Sequence, residues 1–145
     1  MNKKAINYLN FKCNQYKISK RICYGIYMIE TSYRNAFFRL MENSAVIVGI
    51  IINYFFKKPL KNRTIGCCQL GIASILYLSG FYRYEHILHI KDISRAEIKI
   101  ILKAMHYKTN IDLFCRKILN YYTKYSYLSD MSERDASRII GHLYN

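Results

Sequence analysis

The sequence predicts an all-α fold, and three observations predict it. One proline and six glycines among 145 residues are too few for a turn-rich β protein. Hydrophobic residues make up 52%, enough for a buried core in a chain of this length. Apolar positions recur at helical spacing along most of the chain. No linker, internal repeat or low-complexity tract divides it, so six or so helices with little sheet are expected.

Residues 1–20 are polar and basic and read as a short helix or an arm, with the main domain over 21–145. Over 21–34, Ile22, Ile26, Ile29 and Tyr33 fall at i, i+4, i+7 and i+11, one face of a helix. A second helix is expected over 36–56, amphipathic in its first half and apolar all round in its second. Its greasiest run, A45-V-I-V-G-I-I-I-N-Y-F-F56, has twelve residues. A spanning helix needs about 20, so the run reads as a core or interfacial helix, too short to cross. K57-K-P-L-K-N-R63 then breaks the pattern with a proline and four cations, the mark of a loop.

T64-I-G-C-C-Q-L-G-I-A-S-I-L-Y-L78 reads as a turn entering an apolar helix that stops near Gly80, with Gln69 just inside the helix. F81-Y-R-Y-E-H-I-L-H-I90 is open between a strand and an irregular helix. Ser94 and Glu97 fit a capping box for a helix over 94–106. Asn110 opens another helix, with Ile111, Cys115, Ile118, Leu119 and Tyr122 on one face. Ser132 and Asp135 cap a final helix that runs to the C-terminus.

The formal net charge is +14, which calls for an anionic partner: nucleic acid, an acidic membrane face or a charged wall polymer. Five cysteines, an odd number at irregular spacing, form no C-x-x-C pattern and read as reduced packing residues. His86 and His89 could share a helix face, but zinc wants further ligands that the sequence does not nominate, so no metal or other cofactor is expected. No uninterrupted apolar stretch follows M-N-K-K, so no conventional signal peptide is read. Tyrosines interleaved with cations, as in N120-Y-Y-T-K-Y-S-Y127, suit bases, sugar rings or an amphipathic core and rim.

There are nine acids. Asp92, Asp130, Glu133 and Asp135 stand near helix starts, where a carboxylate faces the helix dipole. Glu85, Glu97 and Asp112 lie among cations and read as solvated. Glu30 differs, because the eight residues before it carry no charge. A carboxyl pressed against apolar side chains holds its proton more tightly and can act as a general acid near neutral pH. Glu30 and Arg34 at i, i+4 would equally make an ordinary surface pair. In T64-I-G-C-C-Q-L70, Gly66 allows close backbone approach at a cleft wall, and the Gln69 amide could hold a substrate. A helix cap and a satisfied buried amide account for the same residues.

Taken in order, E30-T-S-Y33, T64-I-G-C-C-Q-L70, N110-I-D-L-F-C-R-K-I118 and H142-L-Y-N145 resemble the lysozyme-like superfamily, in its soluble lytic transglycosylase type. That family shows E-S-x-F, then S-x-G-L-M-Q-[IL], then N-I-x-x-G-x-x-Y-L, then A-Y-N. The likeness runs from about residue 21 onward. Thr31 stands for Ser, Tyr33 for Phe, Cys67-Cys68 for Leu-Met, Phe114 for Gly and Lys117 for Tyr. The 33 residues between Glu30 and Thr64 exceed the family's usual gap, the excess being an apolar insert at about 36–63. The part of the domain that normally follows Y-N is expected to be missing or reduced.

The resemblance implies a single lysozyme-like helical domain acting on peptidoglycan glycan strands. Glu30 would be the one catalytic acid/base. It would protonate the glycosidic oxygen between N-acetylmuramic acid and N-acetylglucosamine, then take the proton of the sugar's own C6 hydroxyl as a 1,6-anhydro ring closes. One carboxylate suffices, where most glycosidases use two. Thr64, Gly66 and Gln69 would line the cleft, and Tyr144 and Asn145 would contact sugar or steady Glu30. The target lies outside the cytoplasm, which implies unconventional export or release by lysis. Two other readings of the residues remain: a basic nucleic-acid-binding helical module, and a peripheral membrane or partner-binding protein using 45–56.

Overall fold

A computed structural model describes residues 3–33, 36–85 and 87–144. It is 74% helical, with seven α-helices and a few short strands among those residues. Helix α1 spans Lys3–Tyr16 and buries Ala5, Leu9 and Cys13 at i, i+4 and i+8. Lys17, at φ 54°, closes it in the left-handed conformation, and the Ile18 N–H turns back to the Cys13 carbonyl at 3.1 Å. The basic N-terminal segment is therefore a packed helix. Helix α6, Tyr107–Lys124, lies along it.

Ser19 caps helix α2, Lys20–Tyr33: its hydroxyl accepts from the Ile22 N–H at 3.3 Å. The buried stripe of α2 is Ile22, Cys23, Ile26 and Tyr27. Ile29 does not belong to it and is 54% exposed, because the stripe drifts toward Cys23 and Tyr27 at 3.6 residues per turn. Helix α3, Ala36–Phe56, runs 21 residues without a break. Lys57 at φ 55° ends it, and Pro59 keeps it from resuming.

Two short antiparallel pairs follow, in place of a turn running straight into a helix. Strand β1 (Leu60–Lys61) pairs with β4 (His89–Ile90), so the ambiguous segment ends as a strand. Strands β2 (Thr64–Ile65) and β3 (Leu70–Gly71) form a hairpin, with Ile65 opposite Leu70. Gln69 sits in its turn and not in a helix. Helix α4, Ile72–Leu78, starts directly after β3, and the Asn62 side chain accepts from its Ala73 N–H at 2.9 Å.

Helix α5, Arg95–Ala104, carries the expected capping box: Ser94 accepts from the Glu97 N–H, and the Glu97 carboxylate accepts from the Ser94 N–H at 2.7 Å. Glu97 is not solvated, being only 1% exposed, and it also pairs with Arg83 at 2.7 Å. Burial alone would raise its carboxyl, but the Ser94 bonds and the Arg83 guanidinium outweigh that and hold it low. Asp112 likewise is engaged: Lys12 of α1 lies at 2.6 Å, Arg116 at 3.0 Å and the Tyr16 hydroxyl donates at 2.9 Å. That cluster ties α1 to α6. Helix α7, Glu133–Tyr144, begins at the predicted cap, where Ser132 accepts from the Asp135 N–H at 3.2 Å.

Candidate functional site

Glu30 stands in the last turn of α2 and is half-buried. Beside it, Thr31 donates to the Tyr27 carbonyl at 2.8 Å, so its hydroxyl serves the helix. The hairpin turn after β2 comes next in space. Gly66 takes φ 78° and Gln69 φ 50°, both left-handed, which folds the 66–69 turn tightly enough for the Gln69 N–H to reach the Gly66 carbonyl. The Gln69 amide is used within the same hairpin. Its oxygen accepts from the Thr64 hydroxyl at 2.7 Å, and its nitrogen donates to the Gly66 carbonyl at 3.1 Å. Thr64 and Gln69 thus brace the turn that was expected to present them to a substrate.

Asn110 holds this turn from below, a role the sequence reading did not assign. It is fully buried in the first turns of α6, and its oxygen accepts from the Cys68 N–H at 2.7 Å. Its nitrogen donates to the carbonyls of Ile65 at 3.1 Å and Ala104 at 3.0 Å. A Cβ on residue 66 would lie 2.1 Å from that nitrogen. Gly66 is required by this packing as well as by its φ. The signal was the pairing of Gly66 with N110-I111 in one motif set, but only the fold shows that the two touch.

Tyr144, in the last turn of α7, donates its hydroxyl to the Cys68 carbonyl and stacks edge-on against Phe114 at 5.5 Å. Phe114 is fully buried and fills the space behind the tyrosine. Burial, with the Glu30 carboxylate acting in the same direction, pushes the Tyr144 hydroxyl far above its ordinary value, so it stays a neutral donor. Lys117 rests its ammonium 4.2 Å over the Tyr144 ring and donates to the Tyr144 carbonyl at 3.3 Å. Burial pushes Lys117 down to about 8, and the Glu30 carboxylate acts in the opposite direction. Cys68, raised mainly by burial, also feels Glu30. The Glu30 charge therefore faces the junction of the hairpin turn, α6 and α7. Asn145 and Arg34 lie outside the described residues, so neither their sugar contact nor their pairing with Glu30 has a structural account.

A cavity of about 380 Å³ is walled by residues of α4, α6 and α7. Tyr77, Tyr84, Tyr121, Asn120, Glu85 and Lys117 are in its wall, and Glu30 is not. Elsewhere the interleaved tyrosines and lysines are largely engaged with one another, as where Lys12 lies over the rings of Tyr8 and Tyr16.

The sulfur atoms of Cys13, Cys23 and Cys115 lie within 4.8 Å of one another in the core, where α1, α2 and α6 meet. Three thiolates would suit a soft cation, but a tetrahedral zinc site needs a fourth ligand, and the group contains none among the described residues. His89 is exposed, and His86 lies outside the described residues.

Lys117 gives a pH prediction. In the unfolded chain a lysine titrates near ~10.4, against about 8 in the folded protein. Between these values the unfolded state binds more protons, so stability rises with pH across the window and the full penalty applies below it. Lys117→Met should be more stable than the parent by about 1–2 kcal/mol at neutral pH and lack that rise. Urea midpoints of both proteins across the window measure it; parallel curves would contradict it.

No protein-family model, curated protein or solved structure matches the chain.

Proposed function

We propose that this protein cleaves the β-1,4 bond between N-acetylmuramic acid and N-acetylglucosamine in peptidoglycan, as a lysozyme-like enzyme of the lytic transglycosylase type. One observation carries the reading. The 66–69 turn, Asn110 and Tyr144, from stretches far apart in the sequence, are bonded together at Cys68, and the Glu30 charge acts on Cys68, Tyr144 and Lys117 around them. Those are the stretches that suggested the family.

In this mechanism the protonated Glu30 carboxyl gives its proton to the bridging oxygen as the bond from C1 of N-acetylmuramic acid breaks. The same carboxylate then takes the C6 hydroxyl proton while that oxygen bonds to C1, so Glu30 ends as it began. Tyr144 and Asn110 do not transfer protons. They hold the Cys68 peptide, and so fix the turn opposite Glu30. Lys117 and the tyrosine-lined cavity offer a cation and aromatic faces to the adjoining sugars and peptide stems. Purified sacculi incubated with the protein should release soluble muropeptides. A folded protein, helical by circular dichroism, that releases none overturns the reading.

A further inference from the structure

Helix α3 is inside out. Arg39, Glu42, Asn43 and Asn53, its charged and amide side chains, recur at helical spacing on one stripe with Val46 and Ile50. That stripe faces the protein: Val46, Ile50 and Asn53 are buried, and Arg39, Glu42 and Asn43 half-buried. Arg39 lies close enough to Tyr27 and Cys67 for its charge to act on both. Asn53 fastens the stripe, donating to the carbonyls of Lys58 at 2.8 Å and Ile90 at 3.1 Å and accepting from the Ile93 N–H at 3.2 Å.

The opposite face points outward and is apolar except for Ser44, exposed near its middle. Phe37 is 64% exposed, Val48 54%, Ile51 49%, Phe55 71% and Phe56 70%. Over 21 residues this ridge is roughly 30 Å long, far beyond the scattered apolar side chains of an ordinary surface. The twelve-residue estimate from the sequence was too short. Phe37–Phe56 is long and apolar enough to cross a membrane by length and composition, and only 17% of that window is buried, so it is not a core helix.

We propose that this face of α3 docks on an anionic lipid surface, lying in the plane of the interface. The charges select that occupant. Lys57, Lys58, Lys61 and Arg63 follow the helix and are all exposed, and Arg95 joins them through the Tyr54 hydroxyl at 2.9 Å. A ridge of this kind flanked by cations binds where apolar side chains enter lipid and lysines meet acidic headgroups. A second copy would bring the same basic collar, on a chain of net charge +14, against itself. Crossing is opposed by the packing: the Asn53 bonds tie α3 to Lys58 and to β4, and Lys61 of β1 with nearby Arg63 would have to enter hydrocarbon.

The full chain contains no tryptophan, so Val48→Trp and Phe55→Trp each install a single reporter on the exposed face. The parent should float with vesicles of mixed phosphatidylcholine and phosphatidylglycerol, and much less with phosphatidylcholine alone or at high salt. The triple variant Val48→Glu, Ile51→Glu, Phe55→Glu should stay unbound with unchanged circular dichroism, since all three side chains are outside the core. Both tryptophans should shift to the blue and be quenched alike by lipids brominated near the headgroup. Binding should persist in Glu30→Gln, which separates this proposal from the glycosidase reading. It is overturned by a parent that does not float, by flotation that the triple variant retains, by Val48→Trp quenched deep in the bilayer while Phe55→Trp is shallow, or by a concentration-dependent dimer in place of vesicle binding.

Discussion

Glu30→Gln is expected to reduce muropeptide release from sacculi by about 10²–10⁴-fold, the usual contribution of a positioned general acid. The amide keeps the size of the side chain and cannot give up or take a proton in this role. The fold should survive, because Glu30 is half-buried at the end of α2 and outside the core. A secondary effect tests the geometry independently. Where it is ionised, Glu30 acts to raise Lys117 against burial, so Lys117 should titrate lower in the variant. A variant that cleaves as fast as its parent would remove Glu30 from the mechanism.

Gly66→Ala is expected to have the largest effect on stability. A left-handed residue with a side chain costs about 1–2 kcal/mol. The new Cβ would also meet the Asn110 amide at 2.1 Å, where that amide holds Cys68, Ile65 and Ala104. Breaking such buried bonds costs about 1–3 kcal/mol for each group left unpartnered, so the variant should lose at least about 4 kcal/mol, close to the whole stability of many small domains. Asn110→Ala alone should lose about 3 kcal/mol. The double variant removes the collision, so its loss should fall short of the sum by about 1–3 kcal/mol. Denaturant midpoints of the four proteins measure the cycle. Simple additivity would mean that the contact does not restrain the turn.

Local signals in the sequence reported local structure well. Ser94 with Glu97 and Ser132 with Asp135 marked helix starts, because a cap and its partner lie within one turn. The boundaries of α3 were also legible from its pattern. Its environment was not, because apolar side chains give the same spacing whether a core or a lipid surface covers them. Acidic residues were misjudged for a related reason. Glu97 and Asp112 looked solvated because their neighbours in sequence are cations, yet their key partners lie 14 residues away, in Arg83, and 100 residues away, in Lys12.

At the candidate site the sequence supplied the residue types and their order, and the fold supplied their roles. Thr64 and Gln69 bond to each other within the hairpin. Asn110 became the central support, and Lys117 feels the Glu30 carboxylate and lines a tyrosine-rich cavity. Apart from the Thr64–Gln69 bond, which joins residues five apart, these contacts join elements far apart in the chain.

The most direct test of one carboxylate performing both proton transfers is the mass of the sugar ends released from purified sacculi. The account predicts 1,6-anhydro-N-acetylmuramic acid ends, lighter by one water than hydrolysed ends, and their loss in Glu30→Gln. Ordinary reducing ends from the parent would mean that water, and not the C6 hydroxyl, attacks C1, and would contradict it.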